Sequence, residues 1–177
     1  MSIPEFQPAD AARFEASIRR FDIENAKDPN RELLPGGGDE ARELAHARYL
    51  TDWVLRLAPR ASEALRLAAR SQHLCRWLIP RGEFPLTRAG YHQWRTALKK
   101  LHAERAGAVL RETGYSADMI ARVQALNLKT SAPGDPEAQV LEDALCLVFL
   151  EHQFAQLAAK TSEEKMINAL RKTWKKM

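Results

Sequence analysis

Little in this sequence points to extended or cross-linked structure. Eight glycines in 177 residues, with hardly any alternation of apolar and polar positions, argue against a sheet. Only two cysteines occur, Cys75 and Cys146, each inside an apolar segment and neither spaced as a paired metal ligand. They are expected to be reduced, buried thiols, which excludes a disulfide scaffold and fits a cytoplasmic protein. The longest strongly apolar run, Ala144 to Leu150, is seven residues, and the opening MSIPEFQPAD has neither a basic n-region nor an apolar h-region. Neither secretion nor a membrane partner is expected. Charge of one sign is scarce too. The 27 Lys and Arg against 23 Asp and Glu leave +4, a surplus that suits a phosphate-bearing ligand without demanding nucleic acid.

What is present is helical patterning. With 45% hydrophobic and 28% charged residues at this length, a single helical domain over 1–177 is expected, an all-α compact bundle of about six to seven helices. A first helix spans 10–27, with Phe14, Ile18 and Phe21 at helical spacing before the turn Asp28-Pro29-Asn30. Leu33 to Gly38, with Pro35 and three glycines in a row, reads as a loop, after which Asp39 is placed to cap a helix carrying Leu50, Trp53, Val54 and Leu57. Ser62 caps the next, running to about Trp77, and Pro80 and Pro85 enforce a loop through which a ligand can enter. A long helix follows from Thr87 to Thr113, then a shorter one from Ser116 to about Leu126. Asp135-Pro136 opens the most apolar helix, to about Ala159, and a basic helix occupies 162–177.

Several polar residues interrupt these apolar faces. Asp143 lies within VLEDALCLVFL, where an ionised carboxylate needs a cation, a metal or hydrogen-bond donors. His73 shares a stripe with Leu65 and Ala69, and His102 shares a face with Leu98 and Lys99, with Arg95 two turns back. Together with His46 on another helix, His73, His102 and Asp143 form a nitrogen and carboxylate set suited to a divalent metal such as Mn, Fe, Ni or Mg. Plainer readings stand beside this one: Asp143 paired with a core arginine or tyrosine, His73 a satisfied core group, His102 on a solvated basic face. Arg76, Arg81, Arg88, Arg95 and Lys99 gather around the proline loop with the forks and point charges a phosphorylated small molecule needs. Tyr91, Trp94 and Trp77 are positioned either to stack a base or to fill the core.

The order of ELAHARYLTDWVLRL, Gln72-His73, LHAERAGAVLRETGYSADMI and LEDALCL resembles the helical core of the HD metal-dependent phosphohydrolase superfamily, over roughly residues 40–155. His102 with Ala106-Gly107-Ala108, and Asp143-Ala144, stand at matching positions. The superfamily's His-Asp dyad reads here as Gln72-His73 or His73-Leu74, depending on register, so one ligand of that pattern is replaced. More closely, QHLCRW, AGYHQWR, LKKLHAERAG, PEAQVLEDALCLVFLE and RKTWKKM resemble an uncharacterised family of bacteria and fungi, a domain of unknown function, over nearly the whole chain.

The superfamily resemblance implies a divalent-metal-dependent phosphohydrolase with His46, His73, His102 and Asp143 as ligands and Glu142 or Glu104 as general base. Gln72, Arg76, Arg81, Tyr91, Arg95 and Lys99 would then bind the substrate, a nucleotide or other small phosphorylated molecule. The alternative is a catalytically degenerate binding or regulatory protein that holds a nucleotide or RNA through a basic cleft. RNA binding through Lys172, Lys175 and Lys176 of the final helix is a further reading.

Overall fold

Capping residues decide where most of the helices begin. The computed structural model describes residues 6–34 and 36–177, so Pro35 of the expected loop lies outside the described residues. Helix α1, Ala11–Asn25, starts where Asp10 accepts the Arg13 N–H. Two short strands follow, β1 at Arg31–Leu33 and β2 at Asp39–Ala41, antiparallel with Arg31 opposite Ala41. This hairpin corrects the expectation of a plain loop. Asp39 lies in β2 and holds Arg31 Nε at 2.7 Å instead of capping a helix. The cap of α2, Arg42–Leu57, comes from farther away: buried Asp28 accepts the Glu43 N–H at 3.1 Å.

Ser62 opens α3, Glu63–Ser71, by accepting the Leu65 N–H. That helix stops six residues short of Trp77. Residues 72–75 form a turn with Cys75 at φ 59°, and a single 3-10 turn covers Arg76–Leu78. Thr87 caps the long α4, Arg88–Glu112, through the Gly90 N–H. Gly90 is required there, because a Cβ at that position would sit 2.1 Å from the Pro85 carbonyl oxygen. Ser116 caps α5, Ala117–Leu128, and Asp135 caps α6, Pro136–Val148, with proline at the first helical position. The expected single helix to Ala159 is broken by one π turn, Phe149–Gln153, before α7, Phe154–Ala158. Helix α8 is Glu163–Trp174.

The fold is all-α apart from the hairpin. Its core joins Phe21 of α1, Leu50 and Val54 of α2, Leu65 and Leu67 of α3, Leu110 of α4, Val123 and Leu126 of α5, and Leu141 and Val148 of α6. Helix α4 packs along α5, while α2 lies against α3 and α6. Both cysteines are free and buried. Among the described residues, no helix is long and apolar enough to cross a membrane.

Candidate metal centre

Three of the five histidines meet between α2, the turn after α3 and the middle of α4. The His46 and His73 rings stack with centroids 4.1 Å apart and planes within 8°, and the His102 ring lies 5.6 Å from that of His73. Glu43, one turn before His46 on the same face of α2, completes the group. Its Oε2 lies 3.3 Å from His73 Nδ1 and its Oε1 3.6 Å from Arg76 Nε. The long-range cap from Asp28 holds the first turn of α2 in place, and with it Glu43.

Burial governs the chemistry of this group. It pushes His46 down to about 3 and His102 to about 4, and together with the charge of Arg76 it holds His73 well below the ordinary imidazole value. All three rings are therefore neutral at physiological pH, the form that binds a metal. Burial raises the Glu43 carboxyl against the opposing pull of the Arg76 guanidinium.

Glu43 Oε2, His46 Nε2, His102 Nε2 and Gln72 Oε1 are buried without a hydrogen-bond partner, a costly concentration of unmet polar atoms. His102 Nδ1 lies 2.8 Å from the Leu74 carbonyl, which only accepts, so Nδ1 carries the hydrogen and Nε2 keeps its lone pair.

The π turn contributes the opposite wall. It aims Gln153 at His46 Nδ1, 3.4 Å away, and sets His152 flat against Tyr49 at 3.6 Å between centroids. Between the two walls lies a cavity of about 430 Å³, which Arg42, Arg76 and Lys160 also line. Behind His73 and Arg76 is a narrow recess bounded by Gln72, Arg95, Lys99, His102 and Lys129. Arg76 pairs with Glu43 and Lys129 with Glu142, whereas Arg95 and Lys99 form no ion pair among the described residues. Burial lowers the Lys99 amine, and the charges of Lys129 and Arg95 lower it further.

Of the residues singled out from the sequence, His46, His73, His102, Gln72, Arg76, Arg95 and Lys99 come together. Asp143 does not. It is half-exposed, accepts from the Gln139 amide at 2.7 Å, and shares that amide with the Lys176 carbonyl. The reason is angular: α6 turns Leu141, Ala144 and Val148 to the core, and Asp143 stands about 200° round from Leu141. Glu142 is held by Lys129 and Lys176, whose contacts outweigh burial and lower its carboxyl. Glu104 is exposed on α4. Neither glutamate reaches the cavity. Arg81 is spent on the Phe84 and Pro85 carbonyls, and Trp94 donates its indole N–H to Ile79, so both brace the proline loop. Tyr91 is exposed against His92 and Trp94. The acid that sequence reasoning overlooked is Glu43, although the spacing Glu43-x-x-His46 puts a carboxylate and an imidazole on one helical face.

Three neutral imidazoles, a carboxylate and an amide oxygen fit a divalent transition ion in donor type. Among the described residues, however, no three His, Cys, Asp or Glu side chains converge on one point as they stand. The stack accounts for one pair only: a ring binds metal in its own plane, and two nearly parallel planes share no such point, so His46 and His73 do not hold one ion together as they stand.

These features define an all-α protein with a buried histidine and glutamate cluster beside a cation-lined cavity. The model of the family described as a domain of unknown function, DUF4202, matches residues 15–177, and the chain belongs to that family. No curated protein and no solved structure matches it significantly.

Proposed function

We propose that this chain is a divalent-metal-dependent phosphohydrolase acting on a nucleotide or another small phosphorylated molecule. The observation that carries the reading is the clustering of Glu43, His46, His73 and His102, with three of their polar atoms buried and unpartnered. The resemblance to the HD phosphohydrolase superfamily supports it, with Glu43 supplying the carboxylate that Gln72-His73 leaves out. A nitrogen-rich donor set favours Mn, Fe or Ni over Mg. When bound there, the ion supplies Lewis-acid polarisation of a phosphoryl oxygen and a water acidic enough to ionise near neutral pH.

The chain's own residues do the rest. Arg76, which borders both the cavity and the recess, orients the phosphate, and Arg95 and Lys99 draw its negative charge towards the imidazoles. The cavity of about 430 Å³ admits a small molecule and leaves room for its leaving group beside Tyr49 and His152. With Glu142 and Glu104 outside, Glu32, Tyr49, His152 and Lys160 are the cavity-lining groups beyond the cluster that can exchange a proton with a substrate.

The stacked imidazoles favour a second reading, a metal-free protein that holds a phosphorylated ligand on the same cations. One experiment separates them: metal analysis of protein purified without chelator, followed by thermal shifts with manganese, nickel and iron. A bound transition metal or a dose-dependent rise in Tm supports the hydrolase, and phosphate release from a nucleotide panel then defines the substrate. Metal-free protein whose Tm no ion changes retires it.

A further inference from the structure

The net charge of this chain is concentrated at one end. Residues 160–177 hold Lys160, Lys165, Arg171, Lys172, Lys175 and Lys176 against Glu163 and Glu164, a surplus of four that equals the formal +4 of the whole sequence. The preceding residues therefore balance. Of the six cations, only Lys176 forms an ion pair among the described residues, with Glu142 at 3.5 Å.

The same segment leaves apolar side chains in water. Trp174 is 80% exposed, Ile167, Leu170 and Met177 are exposed too, and α8 buries only Met166 against the body. Ile167, Leu170 and Trp174 recur at i, i+3 and i+7, which makes one stripe. Leu170, Trp174 and Met177 also form an apolar groove of about 400 Å³ with Leu150 of the π turn.

We propose that α8 is a membrane-surface contact that lies on a bilayer rich in anionic lipid, with Trp174, Ile167 and Leu170 at the headgroup boundary and Arg171 and Lys175, which line the same groove, on the phosphates. The unpaired cations call for an anionic occupant. A second copy of the chain brings the same surplus and is repelled. Nucleic acid would meet the cations but gain little from Ile167, Leu170, Leu150 and Met177, which neither stack on bases nor hydrogen-bond to them. Acyl chains accept those groups, and the headgroup boundary is where an indole is most stable. An interfacial helix requires no spanning run, so the absence of one leaves this contact open. The contact is independent of the hydrolase reading.

The test is sedimentation of the full chain with vesicles of phosphatidylcholine alone and of equal parts phosphatidylcholine and phosphatidylserine. Binding is expected to the anionic vesicles only, with a blue shift in tryptophan emission. Each cation near the surface contributes about five-fold in affinity, so Arg171→Ala with Lys175→Ala, the two cations that line the groove beside Trp174, should weaken binding roughly 25-fold. Trp174→Ala should weaken it about tenfold. These side chains are exposed, and an unchanged Tm confirms that the variants fold. The proposal is overturned by equal affinity for both vesicles, by variants that bind like the parent, or by binding to poly(U) RNA without binding to anionic vesicles.

Discussion

Replacing Glu43 by glutamine should move stability in opposite directions with and without metal. In chelated protein, burial has raised the Glu43 carboxyl despite its attraction to Arg76. The native surroundings therefore disfavour its charge relative to water. Each pH unit of that elevation is about 1.4 kcal/mol that ionisation costs at neutral pH. A neutral amide of the same shape escapes this cost and keeps a hydrogen-bonding oxygen towards Arg76. Glu43→Gln should thus leave Tm unchanged or raise it, by roughly 2–4 °C per kcal/mol in a chain of this size.

With metal the order reverses. An ion present at 100 times its dissociation constant stabilises the parent by about 2.7 kcal/mol, or roughly 5–10 °C. If losing the carboxylate weakens binding about 100-fold, the same ion concentration gives the variant about 0.4 kcal/mol, close to 1 °C. Differential scanning fluorimetry in chelator and in manganese reads both effects. A variant that loses several degrees in chelator would show Glu43 to be a structural partner of Arg76, and one that keeps the full metal shift would remove it from the ligand set; either result refutes the reasoning.

Three further outcomes are expected. Because burial depresses His46 and His102, the unfolded chain takes up protons below about pH 6.5 that the folded chain refuses, so stability is intact above pH 7 and falls towards pH 4. The loss is about 1.4 kcal/mol per pH unit per imidazole, offset in part by Glu43, whose raised carboxyl binds a proton on folding. Urea midpoints of chelated protein should be lower at pH 5 than at pH 7, with a flatter profile in His102→Gln; equal midpoints would contradict buried neutral rings. Replacing both Arg95 and Lys99 by alanine should change stability by about 0.5 kcal/mol or less, since neither forms an ion pair among the described residues, yet raise KM for a phosphate ester about tenfold or more. An unchanged KM would exclude the recess from substrate binding. Gly90→Ala should cost about 2 kcal/mol or more, because the added methyl meets the Pro85 carbonyl rather than a movable side chain. A melting temperature equal to the parent's would show that the proline loop yields freely.

The helices were legible because their signals are local. Apolar residues at i, i+3 and i+4, the caps Ser62 and Asp135, and Pro136 at a first helical position all act within a turn of chain. The histidines were legible for the same reason, each interrupting an apolar stripe. The hairpin was not, since three-residue strands carry no period, and nothing local shows that Asp39 prefers Arg31 to a helix N-terminus. The π turn was equally hidden, although it aims Gln153 and His152 at the site.

The acid of the cluster marks the boundary between the two kinds of information. Sequence alone determined the fold class, the helix order and the three imidazoles, because periodicity and capping are settled by neighbours along the chain. Tertiary structure alone decided which carboxylate joins them. Asp143 looked sequestered among apolar residues, but α6 turns it away from the core towards Gln139. Glu43 looked like an ordinary residue in the first turn of a helix, and packing of that turn against Arg76 and the histidines buries it. Burial depends on which surfaces meet across the molecule, and no stretch of chain records that by itself.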